Sequence, residues 1–320
     1  MDDALTVSVV IVSWNASKYL EECLLSLDEA SYPWPIQIIV VDNASSDDSS
    51  AMVRARFPHV KLIQNSANLG FAKANNIGIQ ASTGNYVALV NSDVHVLHDC
   101  LQQLVAYAEA NPRAGIVGPY VIGGDGKQQI SYRGFPRLWN MFCRALALDR
   151  LFPNVRLFTG YLSTYRVLQS PTPVEILSGC FMIVKREAIA AVGLLDEAFF
   201  IYGEDMDWCK RFGQKGWSVV FVPAAQSNHY GGASSSNSPV RFFVEMQRAD
   251  LQYWRKHHSR LAVAAYLGLS VLHHVLRIFG HWLASIVVRN QSGSHLQRAQ
   301  RSSMCLKWIL SNAGNARTVS

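Results

Sequence analysis

The chain has 320 residues and a formal net charge of +6, with 49% hydrophobic and 16% charged residues. This composition predicts a sizeable folded core and excludes a largely disordered protein. The six cysteines are scattered without a C-x-x-C pair, which argues against a disulfide framework or a zinc site and favours a reducing compartment. The first residues lack the basic stretch and cleavage site of a secretory signal, so we expect a cytoplasmic protein.

The basic excess lies entirely at the end of the chain. Residues 251–320 contain nine Lys and Arg residues and no Asp or Glu, whereas residues 1–250 carry a net charge of −3. This polarity predicts a tail that meets an anionic surface, and we expect that surface to be a membrane. Nucleic acid is disfavoured because the rest of the chain shows no basic face to accompany the tail. A solvated tail that only keeps the protein soluble is the remaining alternative.

Short runs rich in Val and Ile alternate with helical patterns over the first 120 residues. Strands are predicted at Val7–Val12, Ile36–Val41, Val60–Gln64 and Tyr86–Val90, and helices at about residue 20 and near Asp47–Phe57, Phe71–Ala81 and Leu97–Ala110. This alternation predicts an α/β, Rossmann-like fold with a mostly parallel central sheet. Ligands of such sheets bind beyond the carboxyl ends of the strands.

The second half of the chain is less regular. Residues 120–173 read as irregular, and strands are predicted at Val174–Val184 and Ser218–Val222. The apolar stretch from Leu261 to Val288 is interrupted by one arginine and three histidines. It therefore predicts an amphipathic helix at a membrane interface, with a helix packed on the main domain as the alternative. We expect one large domain at 1–258 and a C-terminal helical region at 259–320.

Polar residues follow the first two predicted strands. Asp42 and Asn43 come directly after the second strand, where a carboxylate can accept hydrogen bonds from a base or ribose. An Asx turn with a helix N-cap fits the same residues. The first strand continues into Ser13-Trp14-Asn15, without a glycine-rich loop, which disfavours a dinucleotide-dependent dehydrogenase and a nucleotidyltransferase.

Two further acidic segments are candidates for chemistry. Asp93, in Asn91-Ser92-Asp93, can hold a hard divalent cation together with substrate phosphates, although the segment also suits a simple turn. In a helix that begins near Glu204, Asp205 shares a face with apolar residues, so we expect it to point inward with a raised pKa while Asp207 points elsewhere. The alternative is that acidic residues simply favour a helix N-terminus.

Seven segments, in order, resemble the family 2 glycosyltransferases of the GT-A fold, and most of all their rhamnosyltransferase branch. The segments are 9–15, 41–47, 68–76 (with Asn68-Leu69-Gly70-Phe71-Ala72 and Asn75-Asn76), Asn91-Ser92-Asp93, 177–181 around Gly179, 203–207, and 228–234 beginning Asn228-His229-Tyr230-Gly231. Arg133-Gly134-Phe135-Pro136 and the stretch 253–258 point to the same branch. The resemblance covers about residues 7–258.

The resemblance implies a role for each matching residue. Asp42 would contact the base or ribose, Asp205 would be the catalytic base, and Asp93 with His229 would hold Mg²⁺ or Mn²⁺ on the diphosphate. The other residues implied in nucleotide-sugar binding are Ser13, Asn15, Asn43, Asn68, Gly70, Asn75, Asn91, Ser92, Gly179 and Glu204. Asn91 stands at the first D-x-D position, so metal coordination rests on one carboxylate of that motif.

The resemblance also implies the reaction. We expect an inverting enzyme that moves one sugar, L-rhamnose from dTDP-rhamnose, to a hydroxyl of a glycan or polyprenyl-diphosphate-linked saccharide in cell-wall or surface polysaccharide synthesis. The Gln-x-x-Arg-Trp motif of processive synthases is absent, which favours single transfer. The enzyme would be peripheral on the inner face of the cell membrane. The alternatives are an inactive sugar-nucleotide or glycan-binding scaffold, at which Asn91 hints, and a hexosyltransferase that uses a UDP- or GDP-sugar.

A set of large apolar residues lies between the two halves of the expected domain. We expect this set to contact a lipid-linked acceptor, with ordinary core packing as the equal alternative. Its members are Trp139, Phe142, Leu146, Leu151 and Phe152.

Overall fold

A computed structural model describes residues 5–161, 168–231, 239–287 and 292–312. For 239–241 and 292, only the backbone is described. The chain divides into two compact units, the first formed by Met1–Gly134 and Val167–Asn237 and the second by Phe135–Arg166 and Ser238–Ser320. The expected boundary at residue 258 does not coincide with this division, because the helices before and after that position pack together in the second unit.

The first unit contains the strands and six helices among the described residues. The strands are β1 (Val7–Ser13), β2 (Ile36–Asp42), β3 (Lys61–Gln64), β4 (Tyr86–Asn91), β5 (Val94–Val96), β6 (Ala114–Gly123), β7 (Gln128–Gln129), β8 (Tyr132–Arg133), β9 (Thr172–Pro173), β10 (Ile176–Leu177), β11 (Phe181–Lys185) and β12 (Ser218–His229). The helices are α1 (Ser17–Asp28), α2 (Ser49–Arg56), α3 (Phe71–Ala81), α4 (Cys100–Ala110), α8 (Arg186–Val192) and α9 (Glu204–Gln214).

The main sheet has the strand order β3-β2-β1-β4-β11-β6-β12-β5. Six of these strands run in the same direction, and β11 and β5 run against their neighbours. The predicted α/β fold with a mostly parallel sheet is therefore confirmed. Crossover helices cover a parallel sheet on both faces, which is why its strands are apolar throughout.

The alternation of β2 shows how both faces are covered. Ile38 and Val40 belong to the larger core cluster, which includes the apolar stripes of α1 and α4, whereas Ile39 and Val41 pack with Ala74 of α3 on the other face. The predicted helix Phe71–Ala81 has the bounds of α3, and the predicted strands of the first 120 residues lie within two residues of the observed ones.

Two predictions for the second half of the chain are wrong. The single strand predicted at Val174–Val184 is divided into β10, which pairs with β8 in a small second sheet, and β11, which joins the main sheet. The bend falls at Ser178, whose N–H donates to the carbonyl of Ser131. Residues 120–173, expected to be irregular, contain the end of β6 as well as short strands and helices.

The described part of the second unit is helical. Its helices are α5 (Leu138–Ala145), α6 (Leu148–Leu151), α7 (Arg156–Thr159), α10 (Pro239–His257), α11 (Arg260–Val287) and α12 (Ser292–Asn312). Helix α11 packs against α5, α10 and α12. It is long and apolar enough to cross a membrane by length and composition, with a mean hydropathy of 1.6, and 17% of its most apolar window is buried.

Candidate active site

The carboxyl ends of β1, β2 and β4 lie side by side. In the parallel register Ser13 is opposite Asp42, and Val12 is opposite Asn91. Three predicted site residues therefore meet at one edge of the sheet, because parallel strands end on the same side.

Several buried polar atoms at this edge have no hydrogen-bond partner among the described residues. They are Ser13 Oγ, Asp42 Oδ1 and Asn91 Oδ1. In α9, Glu204 Oε2 is likewise buried without a partner among the described residues. Buried polar atoms are almost always satisfied in folded proteins, and leaving one unsatisfied costs about 1–3 kcal/mol. A cluster of such atoms at the carboxyl ends of strands is typical of a place where a polar ligand completes the hydrogen bonds.

Asn15 holds the loop that follows β2. It has a positive φ of 50°, its N–H donates to Ser45 Oγ at 2.9 Å, and its amide oxygen accepts from the Ser46 N–H at 2.7 Å. The other oxygen of Asp42, Oδ2, accepts from Ser50 Oγ at 3.0 Å, so Oδ1 is the atom left for a ligand.

Asn43, Asn68 and Gly70 are brought together, but their polar groups bond to each other. Asn43 Nδ2 donates to Asn68 Oδ1 at 2.8 Å and to the Gly70 carbonyl at 3.3 Å, and its Oδ1 accepts from the Leu69 N–H at 3.0 Å. Gly70 has a φ of 86°, and a Cβ there would collide with the carbonyl of Phe200. These contacts give the three residues a part in shaping the loop.

Two asparagines of α3 are also used internally. Asn75, which is 1% exposed, donates from Nδ2 to the Phe71 carbonyl one turn earlier. Asn76 exchanges two hydrogen bonds with the backbone of Leu195, at 2.9 and 3.1 Å. These two hydrogen bonds of Asn76 tie α3 to the segment that leads into α9. The sequence pattern did not indicate this structural role.

Asp93 and His229 form a buried pair. Strand β5 begins at Val94 and pairs with the end of β12, so that His229 lies opposite Val94. This register brings His229 Nε2 to 3.1 Å from Asp93 Oδ1. The other ring nitrogen, Nδ1, lies 3.0 Å from the side-chain amide of Gln129, so each ring nitrogen has a polar partner.

The facing atoms of this pair suit a shared ligand. A carboxylate oxygen and an imidazole nitrogen are both groups that bind divalent cations. Ser92, the neighbour of Asp93, is 5% exposed. Gly232, Ala233 and Ser234, which complete the motif around His229, lie outside the described residues.

The turn between β10 and β11 links Asp205 to the carboxyl end of β4. Asp205 Oδ2 accepts from the Gly179 N–H at 3.2 Å, and the next residue, Cys180, accepts from the Asn91 N–H at 2.9 Å. Burial, with smaller contributions from the charges of Asp93 and Asp205, raises the pKa of the Cys180 thiol to about 11. The charges of both carboxylates therefore act on this one thiol.

Arg133 is the cation next to Asp205. Its Nη2 lies 3.7 Å from Asp205 Oδ1, and the Asp205 side chain is 12% exposed. The same oxygen accepts from the Met206 N–H at 2.7 Å. Arg133 begins the Arg-x-Phe-Pro segment of the sequence resemblance, but that motif did not indicate a function for the arginine. The structure places it within reach of the expected base.

The expected division between Asp205 and Asp207 is wrong. Asp207 is 0% exposed and pairs with Arg211 at 2.8 Å, so it points inward more completely than Asp205 does. Helix α9 is buried on most of its surface rather than along one stripe. Arg211 also donates to the carbonyls of Val192 and Leu194, which makes the Asp207–Arg211 pair a structural tie.

The raised pKa expected in this segment is found at Glu204. Burial, followed by the charge of Asp205, raises the pKa of the Glu204 carboxyl to about 8. Helix α9 begins there, directly after Gly203 with a φ of 82° and Tyr202 with a φ of 67°. At neutral pH the buried Glu204 carboxyl therefore holds a proton next to the Asp205 side chain.

Glu204→Gln is expected to stabilise the protein at high pH only. The folded protein keeps the Glu204 proton up to about pH 8, whereas an unfolded glutamate loses it near 4.5, so the free energy of unfolding falls as the pH rises between these values. Glutamine removes this loss. We expect a Tm equal to that of the wild type at pH 5 and higher by several degrees at pH 9, at about 2–4 °C per kcal/mol.

Thermal melts over pH 5–9 measure this effect, and Glu187→Gln, which changes an exposed glutamate of α8, is the control. If the Tm difference between Glu204→Gln and the wild type does not vary with pH, the folded protein does not hold Glu204 in a buried, protonated form.

The sequence and fold comparisons agree with this geometry. The family model of glycosyl transferase family 2 matches residues 8–192. An N-acetylglucosaminyl-diphospho-decaprenol L-rhamnosyltransferase of Mycobacterium tuberculosis is 31% identical over 270 residues, which cover 81% of this chain and 86% of the relative. The dTDP-rhamnosyl transferase RfbF of Shigella flexneri is 27% identical, and the match covers 85% of this chain and 88% of that relative.

Solved structures share the fold. The mannosyltransferase PcManGT of Pyrobaculum calidifontis, in complex with GDP-Man and Mn²⁺, has a TM-score of 0.59 at 15% identity and covers 99% of this chain and 89% of that one. GalNAc-T7 with UDP, GalNAc and Mn²⁺ has a TM-score of 0.54 at 19% identity and covers 80% of this chain. This chain spans about half the length of GalNAc-T7, 51%. With its strand-end site, its fold and its relatives in agreement, the chain belongs to the family 2 glycosyltransferases.

Proposed function

We propose that the protein transfers a single L-rhamnosyl group from dTDP-rhamnose to a hydroxyl of a polyprenyl-diphosphate-linked saccharide, with inversion at the anomeric carbon. The observation that carries this proposal is the convergence of unsatisfied strand-end atoms, the Asp93–His229 pair and Asp205 in one unit. The choice of sugar and acceptor is supported by the names of the relatives.

The donor's nucleoside would lie at the ends of β1 and β2. Asp42 Oδ1 and Ser13 Oγ are buried and available there, and a carboxylate at a strand end suits ribose hydroxyls or base N–H groups. Asn15 and Asn43 would act by fixing the loop around Asp42, through the hydrogen bonds described above.

The residues at the diphosphate position fit a divalent cation. Asp93 Oδ1 and His229 Nε2 would be two ligands, and Gln129 would fix the ring nitrogen that faces the metal, as partners of metal-bound histidines commonly do. Within the described ranges there is no group of three or more His, Cys, Asp or Glu side chains that could enclose a metal. Diphosphate oxygens and water would therefore complete the coordination of Mg²⁺ or Mn²⁺. When bound, such an ion neutralises charge on the leaving diphosphate.

Asp205 would be the base for the acceptor hydroxyl. Its carboxylate is held by the N–H groups of Gly179 and Met206 and lies near the Arg133 guanidinium. The hydroxyl oxygen forms the new bond to the anomeric carbon, its proton passes to Asp205, and the bond to the diphosphate oxygen breaks. Attack from the face opposite the leaving group inverts the configuration.

A donor and acceptor screen tests the proposal. With Mg²⁺ or Mn²⁺ and N-acetylglucosaminyl-diphospho-polyprenol, we expect dTDP-rhamnose to give one added deoxyhexose by mass spectrometry, and UDP- and GDP-hexoses to give none. A product made only from a UDP- or GDP-sugar would support the alternative hexosyltransferase. No transfer and no nucleoside diphosphate release with any donor would support the inactive scaffold.

Membrane association through α11 is part of the same proposal. Leu151 and Phe152 of the expected acceptor set are 67% and 48% exposed, and in α11 Phe279, Trp282 and Ile286 are 61%, 51% and 54% exposed. Apolar side chains exposed next to one another on a helix are typical of a protein that meets a membrane or a partner, and we propose the inner face of the cell membrane.

Replacing Phe279, Trp282 and Ile286 with serine is expected to lower binding to anionic vesicles more than tenfold, because each buried apolar side chain contributes about 1.5–3 kcal/mol. Vesicle flotation of the full chain measures it. Ile130→Ser removes an isoleucine of the first unit that is 40% exposed and should leave flotation unchanged. Equal flotation of the triple variant and the wild type would exclude α11 as the membrane contact.

A further inference from the structure

Arg133 is an open cation beside the expected base. Its side chain is 46% exposed, and its Nη2 lies 3.7 Å from Asp205 Oδ1, which is longer than a hydrogen bond. Its guanidinium makes no hydrogen bond to any residue that the structure describes. A guanidinium has five N–H donors in a planar fork, so the donors of Arg133 remain available to a ligand.

The backbone that carries Arg133 is fixed by its neighbours. In β8, Arg133 pairs with Ile176 of β10. The residue before it, Tyr132, is 2% exposed, and its ring packs on that of Phe221 with the centroids 4.5 Å apart. A side chain that is open to solvent and starts from a rigid element is well placed to bind a ligand in a defined position.

Two other arginines of the first unit show how a structural arginine differs. Arg211 donates to Asp207 Oδ2 at 2.8 Å and to two backbone carbonyls. Arg186 donates to Ser82 Oγ at 2.7 Å and to a backbone carbonyl. Each of them ties together segments of the fold through several acceptors, whereas Arg133 ties none of the described segments through its side chain.

Asp205 does not depend on Arg133 for its position. Its two carboxylate oxygens accept from the N–H groups of Gly179 and Met206. Arg133 therefore acts on Asp205 through its charge. That charge offsets the carboxylate, which would otherwise repel a negatively charged substrate.

The geometry of inversion places Arg133 on the acceptor's side of the reaction. In an inverting displacement, the attacking hydroxyl and the leaving diphosphate lie on opposite faces of the anomeric carbon. The proposed function assigns the hydroxyl to Asp205 and the donor's diphosphate to Asp93 and His229. A cation next to the base is therefore next to the acceptor, and the donor's diphosphate is turned away from it.

The proposed acceptor carries an anion within reach of this position. When a single sugar is joined to a lipid through a diphosphate, each of its hydroxyls is separated from the first phosphate by no more than the sugar ring. A hydroxyl held at Asp205 therefore brings the phosphate close to Arg133. Phosphate oxygens match the planar fork of arginine and accept two parallel N–H bonds from it.

We propose that Arg133 binds the diphosphate of the acceptor while Asp205 receives the proton of its hydroxyl. Arg133 thereby selects a sugar that is attached to a diphosphate over the same sugar without one. This inference rests on the proposed function, from which the acceptor is taken. An arginine that served only to keep Asp205 ionised would favour the two kinds of acceptor equally.

A comparison of two matched acceptors tests the inference. Both carry N-acetylglucosamine on the same short alkyl chain, joined through a diphosphate in one and directly in the other. With dTDP-rhamnose and the full chain, we expect Arg133→Gln to lower the ratio of the two kcat/KM values, diphosphate over neutral, about tenfold or more, because a charged contact is lost. Arg113→Gln changes an exposed arginine of the first unit and should keep the ratio of the wild type.

Calorimetric titration of the diphosphate acceptor in the presence of dTDP provides a second measurement that needs no turnover. We expect Arg133→Gln to bind this acceptor about tenfold or more weakly than the wild type, with a thermal melt to confirm that the variant is folded.

Two results would overturn the inference. The first is an unchanged ratio or unchanged affinity in Arg133→Gln, and the second is an equal loss on both acceptors, which would mean that the arginine serves only the base. If the wild type transfers rhamnose and one of these results is found, the inference alone fails. If the diphosphate acceptor binds in an Arg133-dependent way but the wild type transfers no rhamnose, the proposed function alone fails.

Discussion

Asp205→Asn is expected to lower kcat by about 10²–10⁴-fold, the usual contribution of a general base. The asparagine keeps the shape of the side chain but does not accept the hydroxyl proton. Donor affinity should remain near that of the wild type, because the contacts described for Asp205 are with Gly179, Met206 and Arg133 rather than with the strand-end atoms assigned to the donor.

Steady-state kinetics with saturating acceptor, together with calorimetric titration of the donor, separates these two effects. Asp28→Asn changes a surface aspartate that pairs with His59 at 3.0 Å and should retain full activity. Near-normal turnover of Asp205→Asn would remove Asp205 from the role of base.

Asp93→Asn is expected to weaken donor binding in the presence of Mn²⁺ at least about tenfold, because a carboxylate ligand of a hard cation is replaced by a neutral amide. In the wild type, chelation of the metal should produce a similar loss. In the variant, chelation should change the affinity little.

Isothermal titration of the nucleotide sugar, with and without EDTA, measures both losses, and Asp28→Asn again serves as the control. Donor affinity in Asp93→Asn that equals that of the wild type with Mn²⁺ would contradict the metal assignment.

The strand-end part of the site was predictable because its cause is local. Short runs of Val and Ile fix the strands, and the residue after each run must appear at the carboxyl edge, as Ser13, Asp42 and Asn91 do. The placement of His229 depended instead on β12 continuing beyond Val222, past a bulge, to pair with β5. No periodicity in the sequence predicts the extension of β12, and the family resemblance was needed to suggest His229.

The acidic segment shows where helical spacing fails. A single apolar stripe was expected to separate Asp205 from Asp207, but α9 is covered on several sides, and the buried Asp207 is compensated by Arg211 at i+4 and by nearby backbone. Tertiary neighbours decide how each of these carboxyl groups is buried. Glu204 is buried with one oxygen, Oε2, left without a hydrogen bond among the described residues, and burial is the main cause of its raised pKa.

The division of the chain into two units depends on tertiary packing in a related way. Sequence order groups α10 with the residues before it, whereas its aromatic side chains pack with α11, as in the stacking of Trp254 on Tyr266 at 5.0 Å. Composition located the basic tail correctly, but composition does not report which earlier helices, such as α5, pack against it.

The configuration of the newly formed glycosidic bond tests the central claim most directly. A single carboxylate base that directs the acceptor hydroxyl onto the anomeric carbon in one displacement must give a product whose anomeric configuration is opposite to that of the donor. Nuclear magnetic resonance of the purified product, from its anomeric C–H coupling, reads this configuration. We expect inversion, and a product that retains the donor's configuration would contradict the account.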